Sequence, residues 1–246
     1  MKTIIITGAN GTTGSHACAH FHELGYRVIG VDLAFAEKEY PYDTYTADLT
    51  DSRQVQQLVN DITEKYGSID CLYNIAGGSG RKYGDGPVDQ CTEEGFEKTI
   101  QLNLTTQFYM CKYVVPVMLK QQSGCIINTA SVLGMFGGGE MFATHAYAAA
   151  KAGIIGMSRA MASQYAKDGI RVNVIAPGLM ETNMSKRAQS SEEILQYMDY
   201  KQPIYAGRHK LGQVKALVKA AEFLCSEEAD FVTGIVLPVD GGWSML

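Results

Sequence analysis

The chain has 246 residues, 46% of them hydrophobic and 19% charged, with 26 Gly and only 6 Pro. This length suits one large α/β domain spanning 1–246, and the apolar share excludes a disordered or collagen-like chain. A net charge of -5 gives no support to a nucleic-acid or anionic-membrane partner, either of which favours a basic face.

In chain order, Ile4–Ile6 reads as a buried strand, and Gly14–Leu24 as a helix stopped by Gly25. Arg27–Val31 is a second strand, and a third closes at Asp48-Leu49. The gap between Asp32 and Asp48 is too short for a full helix, and Pro41 with Tyr40, Tyr42 and Tyr45 implies a loop or single turn. A helix over Gln54–Lys65 ends at Gly67, followed by a strand at Asp70–Asn74 and one long helix over Glu93–Lys120. Cys125–Thr129 is the fifth strand, and Tyr147–Ala166 is a helix. Strand Val172–Ile175, helices Glu192–Tyr200 and Gln213–Cys225, and strand Ile235–Val239 complete the chain. Apolar strands alternating with amphipathic helices predict a Rossmann-like α/β fold: a doubly wound parallel sheet of about seven strands, covered on both faces. Ligands of such sheets lie at the carboxyl ends of the strands, so the irregular segments Gly77–Pro87 and Asn183–Leu211 are candidate substrate walls.

The six cysteines, Cys18, Cys71, Cys91, Cys111, Cys125 and Cys225, form no C-x-x-C pair and have no His at zinc-ligand spacing. They read as reduced, mostly buried side chains, with no metal site. The N-terminus lacks a signal-type apolar region and no apolar run approaches ~20 residues, so a soluble cytoplasmic protein is expected.

Thr7-Gly8-Ala9-Asn10-Gly11-Thr12-Thr13-Gly14 joins the first strand to the first helix. Glycines there allow a sharp turn and close approach of a pyrophosphate to the helix N-terminus, although turn chemistry alone would also use them. Asp32 ends the second strand, where a carboxylate accepts both ribose hydroxyls of an adenosine. Leu33-Ala34-Phe35-Ala36 follows with no cation to meet a 2′-phosphate, so the expected cofactor is NAD rather than NADP.

Tyr147-Ala148-Ala149-Ala150-Lys151 places a phenol and an ammonium on one helix face. A free Tyr ionises near pH 10, so neutral-pH use requires stabilising the phenolate by roughly 4 kcal/mol. One cation ~4 Å away at an effective dielectric of about 20 supplies that much.

Together with Asn74-Ile75-Ala76-Gly77, Asn103, Ser131, Pro177-Gly178 and Asp240-Gly241-Gly242, these residues resemble the short-chain dehydrogenase/reductase family, in order and over essentially the whole chain. The resemblance implies that Tyr147 exchanges the proton at a substrate oxygen. Lys151 then holds the cofactor ribose and lowers the Tyr pKa, Ser131 hydrogen-bonds the substrate oxygen, and Asn103 holds a water linking Lys151 to solvent. It implies cofactor contacts at Gly8, Thr12, Thr13, Gly14, Asp32, Asp48, Leu49, Asn74, Ala76, Gly77, Tyr147 and Lys151. Further contacts, to the nicotinamide, are implied at Pro177, Gly178, Met180 and Thr182. The implied activity is NAD-dependent interconversion of a secondary alcohol and a ketone, by a homodimer or homotetramer built on the long helices and the C-terminal strand.

The chain departs from the family in four places. Thr12 replaces the middle glycine, and the Gly8/Gly11/Gly14 spacing looks like the sugar-nucleotide-modifying branch. That leaves an NAD-retaining epimerase or dehydratase as an alternative, beside a non-catalytic NAD(H)-sensing regulator. The Asp32–Asp48 helix is missing, Ile75 replaces a second Asn, and Gly134–His145 is lengthened. His145 reads either as a solvent-facing loop residue or as a polarising group. Arg81, Lys82, Lys186, Arg187, Arg208, His209 and Lys210 read either as an anion site or as a solvated face. Met135, Phe136, Met141, Phe142, Met180, Met184 and Met198 read as an adaptable apolar pocket or as packing.

Overall fold

Three isoleucines at the start of the chain are the middle of β1 (Thr3–Thr7), which is buried along its whole length. Side chains alternate between faces of a strand. Ile5 therefore joins the core on one side of the sheet, while Ile4 and Ile6 join the core on the other. Each fully buried Ile contributes roughly 1.5–3 kcal/mol, so this run commits β1 to the centre of a sheet covered on both faces. The computed structural model describes residues 1–208 and 210–246.

The remaining strands are β2 (Arg27–Asp32), β3 (Asp43–Thr46), β4 (Cys71–Asn74), β5 (Gly124–Thr129), β6 (Ile170–Pro177) and β7 (Val236–Val239). All pair in parallel, in the order β3-β2-β1-β4-β5-β6-β7. The chain reverses its winding between β1 and β4, which opens a crevice at their carboxyl ends.

The helices are α1 (Thr12–Glu23), α2 (Ser52–Tyr66), α3 (Glu93–Ile100), α4 (Thr106–Gln121), α5 (His145–Tyr165), α6 (Lys186–Gln189), α7 (Glu192–Lys201) and α8 (Val214–Cys225). α2 shows how local sequence sets its limits. Asp51 caps its first turn by accepting from the Arg53 N–H, and Gly67 ends it at φ 80°. Between these, Val55, Leu58, Val59 and Ile62 form the buried stripe. α2 and α4 cover one face of the sheet, and α1 and α8 the other.

Two expected elements differ. The third strand ends at Thr46, so Asp48 and Leu49 lie beyond it. The Asp48 carboxylate accepts from both the N–H and the hydroxyl of Thr50, a turn that replaces strand pairing just ahead of α2. The single helix expected over Glu93–Lys120 is interrupted by a π-helical turn at Gln101–Thr105. Inside it the Asn103 Nδ2 donates to the Thr99 carbonyl, competing with the backbone of that turn.

Residues 33–42 contain no helix, as the short gap and Pro41 predict. Five of the six cysteines are buried, Cys91 is half-buried, and all are free. No described helix is long and apolar enough to cross a membrane.

Candidate active site

The first strand-to-helix turn is built almost entirely from backbone. Gly8 turns the chain at φ 69°, and its carbonyl accepts from the Gly11 N–H at 3.0 Å. A Cβ on Gly14 would overlap the Gly8 carbonyl oxygen, so no larger residue fits there. Gly11 precedes the helix and gives it no side-chain cap, and the first turn of α1 holds no acidic residue. The Thr12 and Thr13 N–H groups thus open a helix whose positive end is uncompensated by its own sequence, a setting that suits a pyrophosphate. Thr12, which replaces the middle glycine of the family pattern, begins the helix, and its Oγ1 accepts from the Asn183 N–H at 3.2 Å.

Asp32 stands beside this turn, accepting from the N–H groups of Asn10 (2.9 Å) and Leu33 (2.7 Å). Both carboxylate oxygens keep free lone pairs for further donors. The first cation after it, Lys38, lies over the Tyr40 ring, 4.9 Å from the centroid. The Thr7 hydroxyl accepts from the N–H groups of Ile75 and Ala76 at 3.0 Å each, locking the segment after β4 against the end of β1. Ile75 thus meets this contact through its backbone, which any residue type supplies.

Three sequence-derived candidates have buried side chains, and of these Met180 is expected to act through the backbone around it. Asn74 is fully buried within the sheet, where its Nδ2 donates to the Asn128 Oδ1 at 2.9 Å. Leu49 packs in the core beneath α2, and Met180 in the core beneath α8. The Met180 carbonyl is taken by the Ser185 hydroxyl at 2.6 Å. Thr182 is tied through its N–H to the Ser185 Oγ and through its carbonyl to Gln189. Pro177 ends β6, and the Gly178 N–H donates to the Val239 carbonyl.

The candidate reacting groups come together at the ends of β4 and β5. Ser131 follows β5, is nearly buried, and accepts from the Leu133 N–H. Tyr147 and Lys151 share one face of α5, with the Lys151 Nζ 5.4 Å from the Tyr147 ring centroid. The Lys151 Nζ donates to the Thr129 carbonyl at 3.0 Å. A Cβ on Gly77 would lie 2.7 Å from the Asn103 Oδ1 and 3.6 Å from the Lys151 Nζ, so this glycine leaves the space in which they face each other. Asn103 is fully buried and exchanges bonds with Gly78: its Nδ2 donates to the Gly78 carbonyl, and its Oδ1 accepts the Gly78 N–H.

Burial pushes the Tyr147 phenol up to about 12, and the Ser131 hydroxyl pulls it down. Burial also pulls the Lys151 ammonium down to about 7. The physical reason is shared: each group loses water, which penalises its charged form.

Sequence reasoning missed Asp85. Its two carboxylate oxygens accept from the N–H groups of Ala146 and Tyr147 at 3.1 Å each, and the residue is only 5% exposed. Thr144 makes no side-chain cap for α5, so an acid 60 residues upstream takes that place. Nothing local signals the pairing. His145 anchors the same loop, its Nδ1 accepting from the Val88 N–H at 2.9 Å.

Among the basic candidates, Arg81 and Arg187 meet at the Met141 carbonyl, while His209 lies outside the described residues. Of the methionine and phenylalanine set, Met141, Phe142 and Met198 pack with Trp243, whereas Met135, Phe136 and Met184 remain exposed.

A seven-stranded parallel sheet, a glycine turn at its switch point and a Ser-Tyr-Lys group with Asn103 define a nucleotide-binding oxidoreductase. Residues 8–244 match the family model described as enoyl-(acyl carrier protein) reductase. The chain is 34% identical over 253 residues to a 3-oxoacyl-[acyl-carrier-protein] reductase, FabG, of Thermotoga maritima, covering 98% of this chain and 97% of the relative. It superposes on a putative short-chain dehydrogenase/reductase from Burkholderia xenovorans with a TM-score of 0.90 at 35% identity, covering 100% of this chain and 97% of the other. A 4-hydroxyisoleucine dehydrogenase complexed with NADH gives a TM-score of 0.89 at 29% identity, with 100% of both chains covered. The chain belongs to the short-chain dehydrogenase/reductase family, whose members are oxidoreductases that bind a nicotinamide cofactor.

Proposed function

We propose that the protein is an NAD-dependent enzyme that interconverts a secondary alcohol and a ketone. The observation that carries this reading is the gathering of Ser131, Tyr147, Lys151 and Asn103 beside the Gly8–Gly14 turn and Asp32. The residues fit the dinucleotide: the Gly8–Gly14 turn ends on a helix N-terminus with no side-chain cap, and Asp32 is an acceptor followed by Leu33-Ala34-Phe35-Ala36, which hold no cation for a 2′-phosphate. When bound, the nicotinamide gives or takes the hydride.

The rest is done by the chain. Tyr147, with its phenol raised to about 12, holds its proton at neutral pH and donates it to the substrate oxygen in the reducing direction. Ser131 donates a hydrogen bond to that oxygen and fixes its position. Lys151, near its midpoint at neutral pH, holds the cofactor ribose and exchanges a proton. The resemblance also supports a homo-oligomer on the long helices, where Phe96 on α3 and Phe108 on α4 stay exposed.

Fluorescence titration with NADH and NADPH, followed by turnover across steroid, polyol, hydroxy-acid and aromatic diol substrates, tests this reading. Tighter NADH binding and net NADH production are expected, and a preference for NADPH would overturn the role of Asp32. The Gly8/Gly11/Gly14 spacing favours a second reading, an NAD-retaining sugar-nucleotide epimerase or dehydratase. Tightly bound NAD with no net NADH production would select it.

A further inference from the structure

The segment after β4, the connection from Ser131 to Tyr147 and the segment after β6 converge at one atom. An Arg81 Nη donates to the Met141 carbonyl at 3.4 Å, and an Arg187 Nη donates to the same oxygen at 3.1 Å. Two full positive charges are thereby held side by side on an exposed surface of a chain whose net charge is -5. Among the described residues neither guanidinium forms a salt bridge. Asp85 is near Arg81, but both its oxygens are engaged at the start of α5. Glu140, beside Met141, is exposed and pairs with neither.

The repulsion between two guanidinium groups opposes their sharing one neutral carbonyl, and an anion between them would offset it. A guanidinium carries five N–H donors in a planar fork suited to carboxylate and phosphate oxygens. With one donor each on Met141, most of both forks stay available. Burial and the neighbouring Arg187 also hold the Arg81 guanidinium below its usual range, a cost that an incoming anion relieves.

The location ties this pair to the chemistry. Arg81 lies between Gly77, which adjoins Asn103 and Lys151, and Asp85, which holds the Tyr147 N–H. Arg187 lies just beyond Asn183, whose N–H is fixed to Thr12 in the nucleotide turn. Met141 lies on the connection whose ends are Ser131 and Tyr147.

We infer that Arg81 and Arg187 form an anion site at the mouth of the active site, and that the substrate carries a carboxylate or phosphate beside its reacting alcohol or ketone. The substrate half of this inference rests on the proposed alcohol/ketone chemistry; the anion site does not.

Two substrate pairs differing only in charge test it: 3-oxobutanoate against its methyl ester, and dihydroxyacetone phosphate against dihydroxyacetone. The wild type should favour the charged member of one pair by at least about 10-fold in kcat/KM. The double variant R81Q/R187Q should lose that preference through a raised KM, R187K should keep part of it, and Lys219→Gln on the exposed face of α8 should keep it all. Calorimetric titration of butanoate and of inorganic phosphate into the NADH-loaded protein reads the site without turnover. Binding of one probe, weakened at least about 10-fold in the double variant, is expected, and which probe binds separates carboxylate from phosphate. No turnover of any of the four compounds would count against the alcohol/ketone reading and leave calorimetry to decide the anion site. If neither probe binds, or binding and preference survive in the double variant, the anion site is wrong.

Discussion

The two ends of the crevice are made in different ways. At the nucleotide end, the turn from Thr7 to Gly14 and the carboxylate of Asp32 lie within 26 consecutive residues and act largely through backbone geometry. At the candidate substrate end, segments far apart in sequence are held by a few side-chain contacts: Asp85 to α5, His145 to Val88, and Arg81 and Arg187 to Met141. A locally built site tolerates little change in its own residues but depends little on distant ones. An assembled site can change its specificity through loops while the reacting group stays in place.

The comparison predicts different kinds of damage at the two ends. Removing the phenol at the junction between them should have the largest effect: Tyr147→Phe should lower turnover by roughly 10²–10⁴-fold with NADH affinity retained, as steady-state kinetics and fluorescence titration will read. Survival of most of the activity would break the assignment of Tyr147 as proton donor.

Lys151 gives a pH signature. Its pKa falls from the ordinary lysine value of 10.5 to about 7 in the folded chain, so between these values the unfolded chain binds more protons and stability rises with pH. Relative to Lys151→Met, the wild type should gain on the order of 2–4 kcal/mol between pH 7 and 10 in denaturant unfolding. A flat difference would show that the lysine is better solvated than its 3% exposure implies.

Gly14→Ala tests the locally built end. Its Cβ would overlap the Gly8 carbonyl, so a stability loss of about 1–3 kcal/mol is expected, with weakened NADH binding and a Tm that falls accordingly.

The smallest effect belongs to the assembled end. Asp85→Asn should cost about 1 kcal/mol by weakening the cap of α5. It should lower kcat several-fold and leave NADH affinity intact. Equal losses in kcat and NADH affinity would erase the distinction between the ends.

Much of the fold is legible because its signals are local. Ile4–Ile6, the stripe Val55/Leu58/Val59/Ile62 and the stop at Gly67 each declare an element within a few residues, and six of the seven strands lie close to where their apolar runs place them, the exception being β3, whose Asp43–Thr46 segment is polar. The π-helical turn at Gln101–Thr105 is not legible in the apolar pattern, and the bonds Asn103 exchanges with Gly78, 25 residues away, have no local signal. The partners of the Asn74 side chain are likewise not legible. The sheet turns its side chain inward, to Asn128 and Cys111.

By itself the sequence determined the parallel α/β class, the glycine turn with its acidic partner, and the pairing of Tyr147 with Lys151. These follow from spacing along one strand, one turn or one helix, where geometry is periodic. Only the tertiary structure decided the state of that pair, since desolvation depends on what surrounds a group rather than on what precedes it. It alone brought Asp85 to the start of α5 and set two arginines on one carbonyl, because such contacts exist only after the segments following β4, β5 and β6 have folded over the same crevice.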